Sequence, residues 1–199
     1  MQAEQSPQEA ELDTRNRLVR AALDVFLEKG YGGARVQDIA RKAGYTAGAL
    51  YVHFPSRTAL LGEAIAVEGR SIIDDVIRHF AVTPGNGAVS RALAEFAVAK
   101  TGPLDILLLE ALALASRDEE ARTMLASALS DLDKAIEGQI ERGMEMGLVD
   151  PDLDANAVCA FFSAWILGLV VHRSVGLRDA DVDSVYEVSE RVTEAMSPK

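Results

Sequence analysis

The side chains able to do chemistry in this chain point away from catalysis. Its three histidines, His53, His79 and His172, stand far apart and fall on different predicted helices. Ser, His and Asp residues are scattered, and Cys and His never occur at zinc-ligand spacing. The run Gly30-Tyr31-Gly32-Gly33 lacks the preceding strand and following Lys of a phosphate-cradling loop. The single cysteine, Cys159, cannot close an intrachain disulfide, which fits a reducing compartment. Its neighbours Val158, Ala160 and Phe161 favour a small buried hydrophobe over a redox sensor. No enzyme, cofactor or metal site is expected.

A different chemistry is concentrated near the start of the chain. The net charge is −11, which argues against a nucleic-acid partner when taken as one number. Residues 14–57 nevertheless hold eight bases and three acids, a net +5. Residues 1–13 carry −4 and residues 58–199 carry −12. Only 14–57 could attract a phosphate backbone.

Helices must position that basic segment, because apolar residues recur at three- and four-residue spacing almost throughout. A first helix follows Asp13 or Thr14 as cap and stops at Gly30. A second holds Val36, Ile39, Ala40 and Ala43 on one face and ends at Gly44. A third runs from Thr46 to Phe54, where Pro55 breaks it. Ser56 can cap the long helix that follows. A loop is expected at 83–87, and further helices at 88–100, 103–116, 118–146, 154–174 and 181–196. The expectation is an all-α fold of about nine helices. It has an acidic disordered tail at 1–13, a basic helical segment at 14–60 and a larger helical domain at 61–199.

The stretch GYGGARVQDIARKAGYTAGALYVHFPSR, residues 30–57, reads as two short helices joined by a tight turn at Ala43-Gly44-Tyr45, the helix-turn-helix plan. It resembles the signature of the TetR family of transcriptional regulators. Gly30-Tyr31, Val36, Asp38-Ile39-Ala40, Ala43-Gly44, Leu50-Tyr51, His53-Phe54 and Ser56-Arg57 carry the resemblance, which is specific over about residues 14–65. By position it implies that Tyr45, Ala47, Gly48 and Ala49 meet base edges and that Gln37 also reaches a base. It implies phosphate contacts from Thr46, Tyr51, His53 and Arg57. Arg35 stands where the family usually has Thr or Ser. Arginine cannot cap a helix as those residues do, but it can pair with a phosphate. Ala47, Gly48 and Ala49 make a small apolar face suited to a thymine methyl or close backbone approach.

The resemblance implies that 14–60 is a helix-turn-helix DNA-binding domain and 61–199 an effector-binding and dimerisation domain, with a homodimer on palindromic double-stranded DNA and a small-molecule effector. The run 104–115 is apolar on nearly every face, so a helix buried all round is expected, with Glu110 either a counter-charge for a cationic effector or a carboxylate paired with an Arg or Lys or turned to a rim. Phe96, Glu110, Met124, Phe162, Trp165 and His172 are candidate ligand contacts. The aromatics and Met124 could equally serve core or interface. Phe161, Trp165, Leu169, Val185 and Val192 are candidate dimer contacts. Residues 1–13 lack the pattern of a secretory signal, and the uncharged stretch 155–171 is short for a bilayer span. A cytoplasmic protein with no membrane partner is therefore expected. The expected function is a repressor released from its operator by a hydrophobic effector. The alternatives are a constitutive DNA-binding protein with a filled core, or a helical ligand-binding protein that does not bind DNA.

Overall fold

The computed structural model describes residues 7–82, 86–177 and 180–198. Among these residues the chain forms nine helices: α1 (Pro7–Gly33), α2 (Val36–Ala43), α3 (Ala47–His53), α4 (Arg57–Val82), α5 (Asn86–Val98), α6 (Pro103–Ala115), α7 (Glu119–Glu145), α8 (Ala155–Ser174) and α9 (Val182–Ala195). The all-α class read from the periodicity is the class observed.

The first helix corrects one expectation. Helix α1 extends back to Pro7, so residues 7–13 are helical rather than a disordered tail, and no cap forms at Asp13 or Thr14. Pro7 suits a first helical position, and Glu11 favours the positive end of the helix dipole. Residues 1–6 of that expected tail lie outside the described residues, as do 83–85 of the expected loop. Gly30 breaks α1 as expected, with φ 67° and ψ 165°.

The chain divides into two compact units, at boundaries other than 60/61. One comprises the residues up to Val67 together with Ile106–Ala128; the other comprises Glu68–Asp105 and the residues from Leu129 onward. In the first unit Leu18, Phe26, Ile39, Leu50, Phe54, Leu60, Leu61 and Ile65 are essentially inaccessible, and Leu107, Leu108 and Ala111 of α6 join the same core. The α6 helix is not buried all round: Ile106 and Leu112 are 38% and 40% exposed. Met124 packs directly over Gly62, where a Cβ would meet its side chain at 2.6 Å. That contact makes Met124 a packing residue of this unit.

In the second unit α5 and α9 pack through small side chains. Ser90 and Thr193, both buried, share a hydrogen bond of 2.7 Å beside Ala92, Ala94 and Ser189. The Asp105 carboxylate, 3% exposed, receives two hydrogen bonds from Arg173, at 2.9 and 2.6 Å. It also accepts the Gly102 N–H at 2.8 Å. Arg173 stacks on the Phe96 ring, 4.2 Å from its centroid, and donates to the Phe96 carbonyl. A buried ion pair is tolerated where its remaining donors and acceptors are filled, as these are. Phe96 is thereby a platform for Arg173. Cys159 is buried, its thiol directed at the Asp133 carbonyl, and desolvation raises its pKa. That is the environment of an inert thiol.

Helix α8 is unlike the others. Asp154 caps it by accepting the Ala157 N–H at 2.8 Å. Only Val158, Cys159 and Val170 along it are buried, although nearly all its residues are apolar. Phe161 and Val171 are 52% and 44% exposed. This helix is also long and apolar enough to cross a membrane by length and composition.

Candidate nucleic-acid interface

The turn between α2 and α3 is built from backbone geometry first. Gly44 adopts the left-handed conformation, φ 83° and ψ 25°, which costs little without a Cβ. The Tyr45 N–H then reaches back to the Ala40 carbonyl at 2.8 Å, a Schellman closure of α2. Thr46 starts α3, its hydroxyl accepting the Ala49 N–H at 3.2 Å. Leu50 and Phe54 are buried beneath α3 and anchor it. Burial of a side chain such as Leu50 is worth about 1.5–3 kcal/mol.

Ion pairs fasten α2 to α1 from both ends. Lys29 of α1 donates to Asp38 of α2 at 2.8 Å, and Arg41 reaches the same carboxylate at 2.6 Å. The Lys29 hydrogen bond, with the neighbouring cations, holds the Asp38 carboxyl below its usual range. Lys42 of α2 returns to Glu28 at 2.8 Å and Asp24 at 3.2 Å, and the Glu28 hydrogen bond raises the Lys42 pKa. Several of the bases behind the local +5 thus lock the helices together.

The face that remains open on α3 differs from the one expected. Gly48, Tyr51 and Val52 are exposed, at the i, i+3, i+4 spacing of one helix face. Tyr51 is 54% and Val52 81% exposed, whereas Ala47 and Ala49 are half-buried. Tyr45 is docked on α1, its hydroxyl donating to Thr14 at 3.2 Å with the Arg17 guanidinium 5.5 Å from its ring. Gln37 and Arg35 are exposed, and Arg35 precedes α2 without a side-chain cap bond. His53 is half-buried, and its carbonyl accepts a 3.2 Å bond from Arg15.

Arg57 is turned to the protein itself. Its guanidinium donates to the Ala34 carbonyl and lies 4.1 Å from the centroid of the Tyr31 ring. The Tyr31 hydroxyl shares a 2.9 Å hydrogen bond with Thr58, and its ring meets that of Phe26 at 5.8 Å. The residue expected at a phosphate therefore clamps the segment joining α1 to α2. Glu110 is likewise committed: its carboxylate accepts the Tyr31 N–H. Its partner is a backbone N–H rather than the Arg or Lys expected of a paired carboxylate.

The other expected sites separate. Phe162 and Trp165 are half-buried on α8, and His172 is exposed in its last turn. Phe96, Phe162, Trp165 and His172 belong to the second unit; Glu110 and Met124 belong to the first. Leu169, Val185 and Val192 are half-buried, while Phe161 is exposed and meets Phe162 edge to face at 5.4 Å. Sequence reasoning missed Val52, which a helical projection opposite Leu50 would have found. It also missed the pairing of Asp105 with Arg173, for which a separation of 68 residues leaves no local signal.

Comparison with known proteins agrees with this geometry. Residues 18–64 match the family model described as bacterial regulatory proteins, tetR family. The HTH-type transcriptional repressor DhaR of Mycobacterium sp. strain GP1 is 28% identical over 198 residues, covering 94% of this chain and 98% of that one. A TetR-family regulator structure from Rhodococcus sp. superposes with a TM-score of 0.70 at 19% identity, over 94% of this chain and 100% of that one. The regulator FadR of Bacillus subtilis, solved in complex with stearoyl-CoA, superposes with a TM-score of 0.63 at 18% identity, over 89% of this chain and 96% of that one. Residues 18–64 belong to the TetR family of bacterial regulatory proteins, which makes α2 and α3 the DNA-binding helix-turn-helix of a transcriptional regulator.

Proposed function

We propose that the protein is a homodimeric repressor that reads a palindromic operator with α3 and leaves it when a hydrophobic effector binds. The observation that carries the reading is the Gly48–Tyr51–Val52 face. It is open to solvent on a helix whose other side is anchored by Leu50 and Phe54. It also lies within the basic segment of an otherwise acidic chain.

Chemistry assigns the roles. Gly48 admits close backbone approach, and the Val52 methyl groups suit a thymine methyl. Gln37 offers an amide to a base edge. Thr46, Tyr51, His53 and Arg35 supply phosphate contacts, which set register without reading sequence. Two copies place two α3 helices in successive major grooves, about 34–36 Å apart or a multiple of that.

Support for repression comes from the relative DhaR, itself a repressor. Support for a hydrophobic effector comes from FadR, whose like fold holds an acyl-CoA, and from the Leu-, Ala- and Phe-rich α5, α6 and α8 of this chain. The effector acts by tilting α4, the helix that follows the reader. A 100-fold preference for the off-DNA state supplies about 2.7 kcal/mol of coupling.

The test selects a preferred duplex from a random pool, then measures affinity across salt and with hydrophobic acids, aromatics and lipophilic cations added. A palindromic site bound with a steep salt dependence, and released by an apolar compound that also raises the melting temperature, is the expected result. Recovery of no preferred duplex defeats the reading. Release by a multiply charged hydrophilic metabolite alone defeats the effector class.

A further inference from the structure

We propose that Glu110 of α6 is a positioning residue for DNA reading, holding the break between α1 and α2 that sets the direction of the helix-turn-helix. The proposal rests on α3 being the DNA reader.

Two independent features of the break converge on the Glu110 carboxylate. Gly30 takes a φ of 67°, which frees the next N–H from the helical ladder. That freed N–H, on Tyr31, is donated to Glu110. The carboxylate is also seated where a side chain on residue 30 would stand: a Cβ there would meet Glu110 Oε1 at 2.9 Å. Glycine at position 30 thus serves both the turn and the carboxylate. A half-buried N–H left without an acceptor costs more than the bond itself returns, so this contact has strong leverage on the local backbone.

What the carboxylate holds is the platform of the reader. Tyr31 is fixed at its backbone by Glu110, at its ring by Phe26 and Arg57, and at its hydroxyl by Thr58. Arg57 also binds the Ala34 carbonyl, and α2 begins at Val36. The five residues from Tyr31 to Arg35 are therefore braced from α4 through Arg57 and Thr58, and from α6 through Glu110. Releasing the α6 brace lets the segment swing about Gly30, and α2 and α3 move with it. A glutamine at 110 keeps a carbonyl oxygen as acceptor. An aspartate keeps the charge but is one methylene too short.

The experiment compares wild type with Glu110→Gln, Glu110→Asp and Glu110→Ala on the duplex selected from a random pool, and follows amide exchange at Tyr31 by NMR. Expected are near wild-type affinity for Glu110→Gln and a loss of about tenfold for Glu110→Asp, within the span usual for coupled sites. Faster Tyr31 exchange in Glu110→Asp should accompany that loss, with α8 amides unchanged. Wild-type affinity for Glu110→Asp alongside fast Tyr31 exchange overturns the positioning role. A loss for Glu110→Gln with wild-type affinity for Glu110→Asp overturns the hydrogen-bond basis, since charge would then be the cause. Thr46→Ala and Tyr51→Ala are run beside them. If these leave affinity unchanged, α3 is not the reader, and the exchange data still decide whether Glu110 holds Tyr31.

Discussion

Helices α3 and α8 finish their folding differently. The seven residues of α3 are capped by Thr46, sealed below by Leu50 and Phe54, and open on the Gly48–Tyr51–Val52 face. Helix α8 has twenty residues and is nearly all apolar, yet buries only Val158, Cys159 and Val170 within its own chain. A short helix with little hydrophobic surface is complete, and a long one with a great deal is not. A monomer can order its reader without help, because a few local contacts suffice. An exposed apolar face on the scale of α8 marks a protein-protein surface, and a second copy of this chain is the occupant we propose.

The largest effects should separate the two helices by their dependence on concentration. Leu50→Ala removes a fully buried side chain, and such changes cost about 2–5 kcal/mol. Melting should fall by a similar amount at every protein concentration, and DNA binding with it. Phe161→Glu places a carboxylate on the open face of α8, where pairing of two copies would bury it unpaired. Sedimentation should then show a monomer at micromolar protein, with the α3 unit still folded by NMR. A wild type that is itself monomeric at that concentration removes the second half of the comparison.

A smaller effect sharpens what the reader's cations do. Arg57 is bound to Ala34 and Tyr31, whereas Arg35 is exposed. Both Arg57→Ala and Arg35→Ala should weaken operator binding. Only Arg35→Ala should reduce the slope of log affinity against log salt, by about one, because only a phosphate contact releases a counterion. Equal slopes for Arg57→Ala and wild type, with lower affinity, identify a clamp. A reduced slope for Arg57→Ala restores it to the phosphates.

The reader was legible in the sequence because its determinants are local. Gly44, Thr46 and Pro55 each act within one turn of their own position, and Leu50 and Phe54 fall at helical spacing on one face, so type and spacing reveal them. The braces were not legible. Tyr31 and Glu110 are 79 residues apart, and Asp105 and Arg173 are 68 apart. No periodicity encodes such a pairing. The expectation of Arg57 at a phosphate rests on position alone, and position says nothing about the Ala34 carbonyl that its guanidinium meets. The extension of α1 to Pro7 was missed on composition. Acids at the head of a helix read as a tail until the dipole they favour is considered.

The smallest effect concerns pH, and it follows from the ion pairs that fasten α2 to α1. Asp38 has its carboxyl held below the ordinary value of 3.8, chiefly by the Lys29 hydrogen bond. Folding therefore favours its charged form. Its contribution to stability is complete above 3.8 and is lost as pH falls through the lower, folded value. Lys42 has the opposite sense: hydrogen bonds to Glu28 and Asp24 raise it above 10.5. Its contribution is complete below 10.5 and fades as pH rises through the folded value. From these two groups stability should be flat across the neutral range and bend only at its acid and alkaline ends. Asp38→Asn should lower the melting temperature slightly and by the same amount at pH 5 and pH 8, and should flatten the acid bend. The effect is small because both pairs are reached by solvent. High salt should shrink it further, whereas the loss on Leu50→Ala should persist. A melting difference between Asp38→Asn and wild type that grows steadily from pH 5 to pH 8 would assign the stabilisation to another titrating group.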